Sequence, residues 1–306
     1  MIDSSLPIRL AEALPHGPHR MTVGLRPLAL ADWIEEGADF DDQLRERAAL
    51  LREREDVLGA RPGSQQAQRE LLDVLLEHLR EHFTERYCFS SPQRVRIKTS
   101  GQTFDLANRA DSNDGALRTA AHLVPEDLCL LQRNPNGQYT LSAAALCFPT
   151  RWRLADKLGQ PLLDIHSPVP GYADRVGEAT DRVLTSLDAA RALWRHNWTL
   201  LDSPALYQPE RIEPQQPIKA GETGCAAAER LWFRCERQTL RRLPRTGAVL
   251  FTIRIRQCSL AELCQVPGAA TRLLTQLQTM PAALKTYKGL DEFDVWLRTY
   301  LTATAK

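Results

Sequence analysis

The stretch LWFRCERQTLRRLPRTGAVLFTIRI, residues 231–255, decides the fold. Leu231, Phe233 and Cys235 alternate with Trp232, Arg234 and Glu236. Beyond Leu243-Pro244-Arg245-Thr246-Gly247, Val249, Phe251, Ile253 and Ile255 alternate with Leu250, Thr252, Arg254 and Arg256. A period of two that stops at a Pro- and Gly-bearing turn and then resumes specifies two antiparallel strands. Outward from this hairpin, a second antiparallel pair is predicted at 128–131 and 139–148, joined by Asn134-Pro135-Asn136-Gly137. Val95, Ile97, Thr99, Phe104 and Leu106 predict shorter strands around Ser100-Gly101.

Elsewhere the period becomes helical. Asp41 to Asp56 and Gln65 to Phe83 read as helices, the second with Leu72, Leu75, Leu76, Leu79 and Phe83 on one face. Val176, Ala179, Val183, Leu184, Leu187 and Leu193 predict a helix from Asp174 to Trp194, with Arg195 and His196 capping its C-terminus. Two more helices are predicted at 268–286 and 291–303. Residues 1–35, punctuated by Pro7, Pro15, Pro18 and Pro27, read as an irregular arm, and the Pro- and Gln-rich 202–224 as an exposed loop. This order is not an alternating βαβ chain. It predicts an α+β fold with a largely antiparallel central sheet, as one domain over residues 1–306.

Composition excludes several functions. With 39 Lys+Arg against 38 Asp+Glu, the formal net charge is +1, so the chain lacks the cationic field that captures nucleic-acid backbone. The longest apolar stretch, Leu141 to Pro149, is under half the ~20 residues of a spanning helix. Asp3 stands where a signal peptide would be basic, and no apolar core follows, so a cytoplasmic protein is expected. The seven cysteines form no CxxC pair and read as reduced thiols. GxGxxG, GxxxxGK[ST] and GxSxG are all missing, which removes the usual loops for dinucleotide, triphosphate and serine-hydrolase chemistry. His78-Leu79-Arg80-Glu81-His82 matches the inverted zinc-protease motif, but it lies on an amphipathic helix and reads as a solvated helix edge.

Unusual residues concentrate in three places. Cys147 to Gly171 holds four prolines and presents His166 on a stiff, non-helical segment, because Pro168 and Pro170 bias Ser167 and Val169 to extended geometry. A rigid support of that kind suits a metal or haem ligand, and equally a histidine hydrogen-bonded in a turn. Arg195-His196-Asn197-Trp198 is the second cluster. In the third, alternation places Arg234, Glu236 and Gln238 on one sheet face and Arg237, Thr239 and Arg241 on the other.

These blocks resemble the alpha subunit of haem-dependent oxidative N-demethylase, also called dimethylamine monooxygenase. The residues that carry the resemblance are Val124-Pro125-Glu126-Asp127-Leu128-Cys129, FPTRWRLADKLGQPLLDIHSPVPG at 148–171, RHNW at 195–198 and LWFRCERQTLRRLPRTGAVLFTIR at 231–254. Pro125 stands where a Gln is expected. The resemblance implies a PAS-like fold holding b-type haem, with no CxxCH for covalent attachment. It implies O₂-dependent oxidation of an N-methyl group on a small secondary, dimethylamine-like amine, giving the demethylated amine and formaldehyde. Electrons would come from a flavin and iron–sulfur reductase subunit, and a tetrahydrofolate-binding subunit would take the formaldehyde. The implied axial ligand is His166, with His196 and then His122 as alternatives. Arg234 or Arg237 would pair with a haem propionate, at most one of them facing the haem, with Asn197 beside the cofactor. Glu126, Asp127 or Glu236 would pair with the ammonium, or else form structural ion pairs. The reading of a different class is a non-catalytic haem-binding PAS-like sensor.

Overall fold

The computed structural model describes residues 5–106, 114–213, 218 and 224–305. Its elements, in chain order, begin with α1 (Leu6–Ala11), β1 (Arg26–Leu28), α2 (Phe40–Glu53), β2 (Leu58–Ala60) and α3 (Gln65–His82). A small three-stranded sheet follows, β3 (Tyr87–Ser91), β4 (Arg94–Ile97) and β5 (Thr103–Asp105), and then α4 (Gly115–Leu123). Next come β6 (Asp127–Arg133), β7 (Tyr139–Ala145), α5 (Leu162–Ile165), α6 (Glu178–Ser186), β8 (Ala192–Leu201) and α7 (Cys225–Ala228). The chain ends with β9 (Trp232–Arg242), β10 (Val249–Ser259), α8 (Leu260–Cys264), α9 (Ala269–Thr279), α10 (Ala282–Tyr287) and α11 (Asp294–Thr304). None of the described helices is long and apolar enough to cross a membrane.

The predicted hairpin is the centre of a seven-stranded antiparallel sheet in the order β1-β8-β9-β10-β6-β7-β2. β9 and β10 pair from Trp232–Ser259 to Arg242–Val249, and the Asn134-to-Gly137 turn joins β6 to β7 as its sequence requires. The protein is thus α+β, as the element pattern indicates. One sheet face is covered by α2, α3 and α4, whose Leu71, Leu75, Leu79 and Leu117 pack on Leu128, Leu130 and Leu250. Burying each of these side chains stabilises the fold by roughly 1.5–3 kcal/mol. The opposite face carries Cys129, Leu131, Leu141, Leu240 and Phe251.

Four expectations are corrected. The helix predicted from Asp174 to Trp194 ends at Ser186, after a π-helical turn at Ala173–Gly177. Asp188 then turns the chain, capping the Ala190 amide at 2.9 Å, and 192–201 runs as β8. Ten residues of β8 pair with β9, and that ladder overrides the helical spacing of Leu187 and Leu193. Arg195 and His196 are therefore mid-strand residues and not a helix cap. The arm is also not irregular throughout: Pro7 sits in the first turn of α1, where a missing N–H costs nothing, and β1 pairs with β8. The 202–224 segment is partly interior, with Asp202 and Gln208 buried. At the C-terminus, Pro281 divides the predicted 268–286 helix into α9 and α10.

The His78 motif also differs from expectation. His78 is buried, with its ring 5.2 Å from Trp33 and 5.6 Å from Phe83, and burial pushes its pKa down to about 4. It is a packed, neutral core histidine rather than part of a solvated edge. Among the described residues no group of three or more His, Cys, Asp or Glu is arranged to hold a metal ion.

Candidate functional site

The sheet face opposite α2–α4 borders a cavity of about 960 Å³. Its floor follows from strand alternation. Arg195 pairs with Gln238, Asn197 with Glu236 and Thr199 with Arg234, so these six side chains share one face. The segment 150–184 forms one wall, α9 and α10 another, and the arm residues 12–26 close a third. The arm is tied down by Gln276 Nε2 donating to the Gly17 carbonyl at 2.7 Å, the His19 amide to Thr279 Oγ1 at 2.8 Å, and Arg195 Nη1 to the Val23 carbonyl at 3.1 Å.

His166 lines this cavity. It follows the single turn of α5, which Pro161 opens, and its backbone amide donates to the Leu162 carbonyl at 3.1 Å. The same carbonyl lies 2.8 Å from His166 Nδ1. A carbonyl only accepts, so Nδ1 carries the proton and Nε2 keeps its lone pair. The ring stacks on Tyr172 at 4.3 Å and 11°. Burial, with Arg195 and Lys157 nearby, holds its pKa below the usual histidine value against the opposing Leu162 bond. The result is a neutral imidazole with one fixed tautomer.

A hydrogen-bonded row crosses the polar end of the floor. Arg195 Nε donates to Gln238 Oε1 at 2.7 Å, and Gln238 Nε2 donates to Glu236 Oε2 at 2.7 Å. Asn197 Nδ2 donates to the same Glu236 oxygen at 3.2 Å. Lys288, from the end of α10, donates to the Trp198 carbonyl at 2.7 Å and to Asn197 Oδ1 at 3.4 Å. Burial and nearby Arg195 push its pKa down to about 8, and Glu236 opposes them. Cys129, Leu131, Leu184, Leu240, Phe251 and Ile253 make the other end apolar.

The structure brings His166, Glu236, Asn197, Arg234 and His196 to the lining of this cavity, and places His122, Glu126, Asp127 and Arg237 outside it. His196 borders the cavity but shares its strand face with Arg237. On that side it contributes, with Glu35, Cys235 and Arg256, to a second cavity of about 20 Å³. Burial pushes its pKa down to about 4. His122 lies on α4 against Phe104, away from the cavity. Glu126 lies fully buried outside the cavity lining, where its Oε1 accepts from the Glu35 amide at 3.0 Å. Burial raises its pKa, with Arg254 and Arg237 opposing. Asp127 is a structural ion pair: its Oδ1 receives Arg47 Nη1 at 2.7 Å, with both side chains fully buried.

The two arginines expected near a propionate point to opposite faces, and both are committed to the chain. Arg234 borders the cavity, but its guanidinium donates to Thr150 Oγ1 (3.1 Å) and to the carbonyls of Phe148 (2.8 Å), Pro149 (3.3 Å), Ala205 (3.1 Å) and Leu206 (2.9 Å). Arg237 donates to the carbonyls of Trp33 at 3.1 Å and Asp32 at 2.6 Å. Arg234→Ala should therefore cost more stability than Arg237→Ala, since an orphaned buried acceptor costs ~1–3 kcal/mol and Arg234 serves more of them. Urea titration of both variants checks this; equal midpoints would contradict it.

Lys288 escaped sequence reasoning, because nothing in its helix-end context marks it. Gln238 and Glu236 were legible as one face. Arg195 stood out as part of the Arg195-to-Trp198 cluster and as a helix cap, and β8 places it in the row instead.

Fold and site together define an α+β protein with a large cavity beside its sheet, lined by a neutral histidine and a polar row. A family model described as haem-dependent oxidative N-demethylase, alpha subunit-like, matches residues 24–297, and the chain belongs to that family. The family is oxidative and haem-dependent, which makes the chain an oxidoreductase of the alpha-subunit-like type.

Proposed function

We propose that this chain is the haem-binding catalytic domain of a monooxygenase that removes a methyl group from a small secondary amine. The products are the demethylated amine and formaldehyde. The observation that best supports this reading is His166. Its Nδ1 is anchored on the Leu162 carbonyl, and its Nε2 has no hydrogen-bond partner among the described residues that line a cavity of about 960 Å³. The histidine's chemistry would suit a ligand to haem iron, because ligation needs a deprotonated nitrogen whose ring is held by an acceptor on the other one. The apolar end of the cavity fits a porphyrin, and the absence of CxxCH fits non-covalent b-type haem. Once bound, haem supplies the activation of O₂.

The chain's own residues have three tasks. His166 would hold the haem iron through Nε2. Glu236 positions the amine: its Oε2 is taken by Asn197 and Gln238, while Oε1 has no hydrogen-bond partner among the described residues and can accept from an ammonium. The 12–26 arm and the 150–184 segment form two walls of the cavity and confine the amine beside Glu236. Glu126, on the far side of the sheet, is proposed to act only indirectly by holding the Glu35 segment. A flavin and iron–sulfur reductase subunit would supply electrons, and a tetrahydrofolate-binding subunit would receive the formaldehyde in the cytoplasm.

The test is an absorption spectrum of the purified protein before and after adding haemin, followed by a screen of small methylamines. A Soret band that shifts with one of the amines is expected. A protein that stays colourless after haemin addition would overturn the function.

A further inference from the structure

The cavity floor carries an unbalanced charge. Arg195 and Lys288 face it from β8 and from the end of α10, Arg234 borders it from β9, and Glu236 attracts all three. Arg195 and Lys288 are linked to Glu236 through Gln238 and Asn197 and are not in direct ion pairs with it. Arg234 is spent on the chain's own carbonyls, and the positive charge of Arg195 and Lys288 together exceeds the single negative charge of Glu236. An unpaired charge away from bulk water is costly, and an anion placed against it removes the cost. The geometry leaves donors for such an anion. Arg195 uses Nε and one Nη1 hydrogen on Gln238 and Val23, so the Nη2 edge of its fork remains. Lys288 has three ammonium hydrogens, and its partners Asn197 and Trp198 take two of them.

We propose that Arg195 and Lys288 form a seat for a carboxylate inside the cavity. Two sources share that chemistry: a haem propionate, or the carboxylate of an N-methylated amino acid whose ammonium meets Glu236. The choice of sources rests on the proposed function, whereas the seat itself rests on the charge imbalance. The seat also explains why neither Arg234 nor Arg237 is needed for this purpose, since both are spent on backbone carbonyls.

The full-length protein, Lys288→Met and Arg195→Gln are titrated with haemin and with haemin dimethyl ester, reading the Soret band. Each is also titrated calorimetrically with N,N-dimethylglycine and with dimethylamine, without haem. If a propionate fills the seat, the unmodified protein prefers haemin over its ester by about tenfold, and the preference disappears in both variants. If a substrate carboxylate fills it, haemin and ester bind alike, and N,N-dimethylglycine binds only to the unmodified protein. A protein that neither discriminates haemin from ester nor binds N,N-dimethylglycine overturns the proposal. So does a preference that survives both substitutions. The variants lie on separate elements, so one that fails to fold leaves the other to decide. Failure to take up any haem would refute the proposed function alone, and the calorimetric titrations would still decide the seat.

Discussion

His166→Ala is expected to abolish amine oxidation and to shift or erase the haem spectrum, while the far-ultraviolet circular dichroism stays native. The functional part follows from the ring's position. Nδ1 is fixed on the Leu162 carbonyl, Tyr172 stacks on one face, and Nε2 keeps its lone pair on a ring that lines the cavity. Alanine removes that ring outright. The stability part follows from where the core lies. The large clusters are built from α2–α4 on one sheet face and from α1 and the C-terminal helices elsewhere, and His166 belongs to none of them. The backbone bonds of the turn, Ile165 N to Pro161 O and Val169 N to His166 O, both at 2.9 Å, do not need the imidazole. Loss is therefore expected to stay within the ~0.5–3 kcal/mol of an ordinary substitution. The measurement is paired: a Soret titration and a thermal melt on the same preparation. An unchanged spectrum would make His166 a turn histidine, and the ligand would have to be sought elsewhere.

The elements legible in the sequence are those whose signal is local. Strict alternation over 231–255 and the Asn-Pro-Asn-Gly turn each dictated their hairpins, because side-chain period and turn chemistry are properties of neighbouring residues. The Leu stripe of α3 was equally plain. What escaped depends on distant partners. β8 is a strand because β9 offers ten residues of ladder, although Leu187 and Leu193 fit a helical stripe; the alternation of Trp194, His196 and Trp198 was the overlooked signal. The site shows the same division. The shared face of Glu236 and Gln238 was readable from alternation. Pro168 and Pro170, by contrast, suggested an extended segment. The structure instead ends the α5 turn at His166, with the Ser167 amide on the Asp164 carbonyl at 3.1 Å and the Val169 amide on the His166 carbonyl at 2.9 Å. The Leu162 anchor lies just four residues away, yet it depends on a turn the sequence does not announce. The carbonyls that occupy Arg234 and Arg237 come from segments 28 or more residues away, so a cation in a strand could be read as a ligand for a cofactor when it was a clamp for the chain.

Asp127→Ala is expected to destabilise the protein by about 3–5 kcal/mol, a larger loss than His166→Ala should cause. The ion pair it breaks is fully buried at both ends, with Arg47 Nη1 2.7 Å from Asp127 Oδ1. Arg47 also donates to the carbonyls of Ala121 at 2.8 Å and Ala145 at 3.1 Å, so α2, α4 and β7 all converge on it. Asp127 accepts from the amides of Cys147 at 2.7 Å and Phe148 at 3.1 Å. Alanine would leave one guanidinium charge and two amides buried without their acceptor, and water cannot reach them. Replacing both partners, as in Arg47→Leu with Asp127→Leu, should recover part of the loss, because the uncompensated charge goes while the orphaned amides remain. Chemical denaturation of the single and double variants measures the difference, and a single-variant loss below about 1 kcal/mol would contradict the account. A functional consequence follows from the same contacts. Asp127 holds the amides of 147 and 148 from one side, while Arg234 holds the carbonyls of 148 and 149 from the other. That doubly clamped stretch is the root from which the segment carrying His166 departs. Haem should therefore dissociate faster from Asp127→Ala than from the unmodified protein, even under conditions where the variant remains folded.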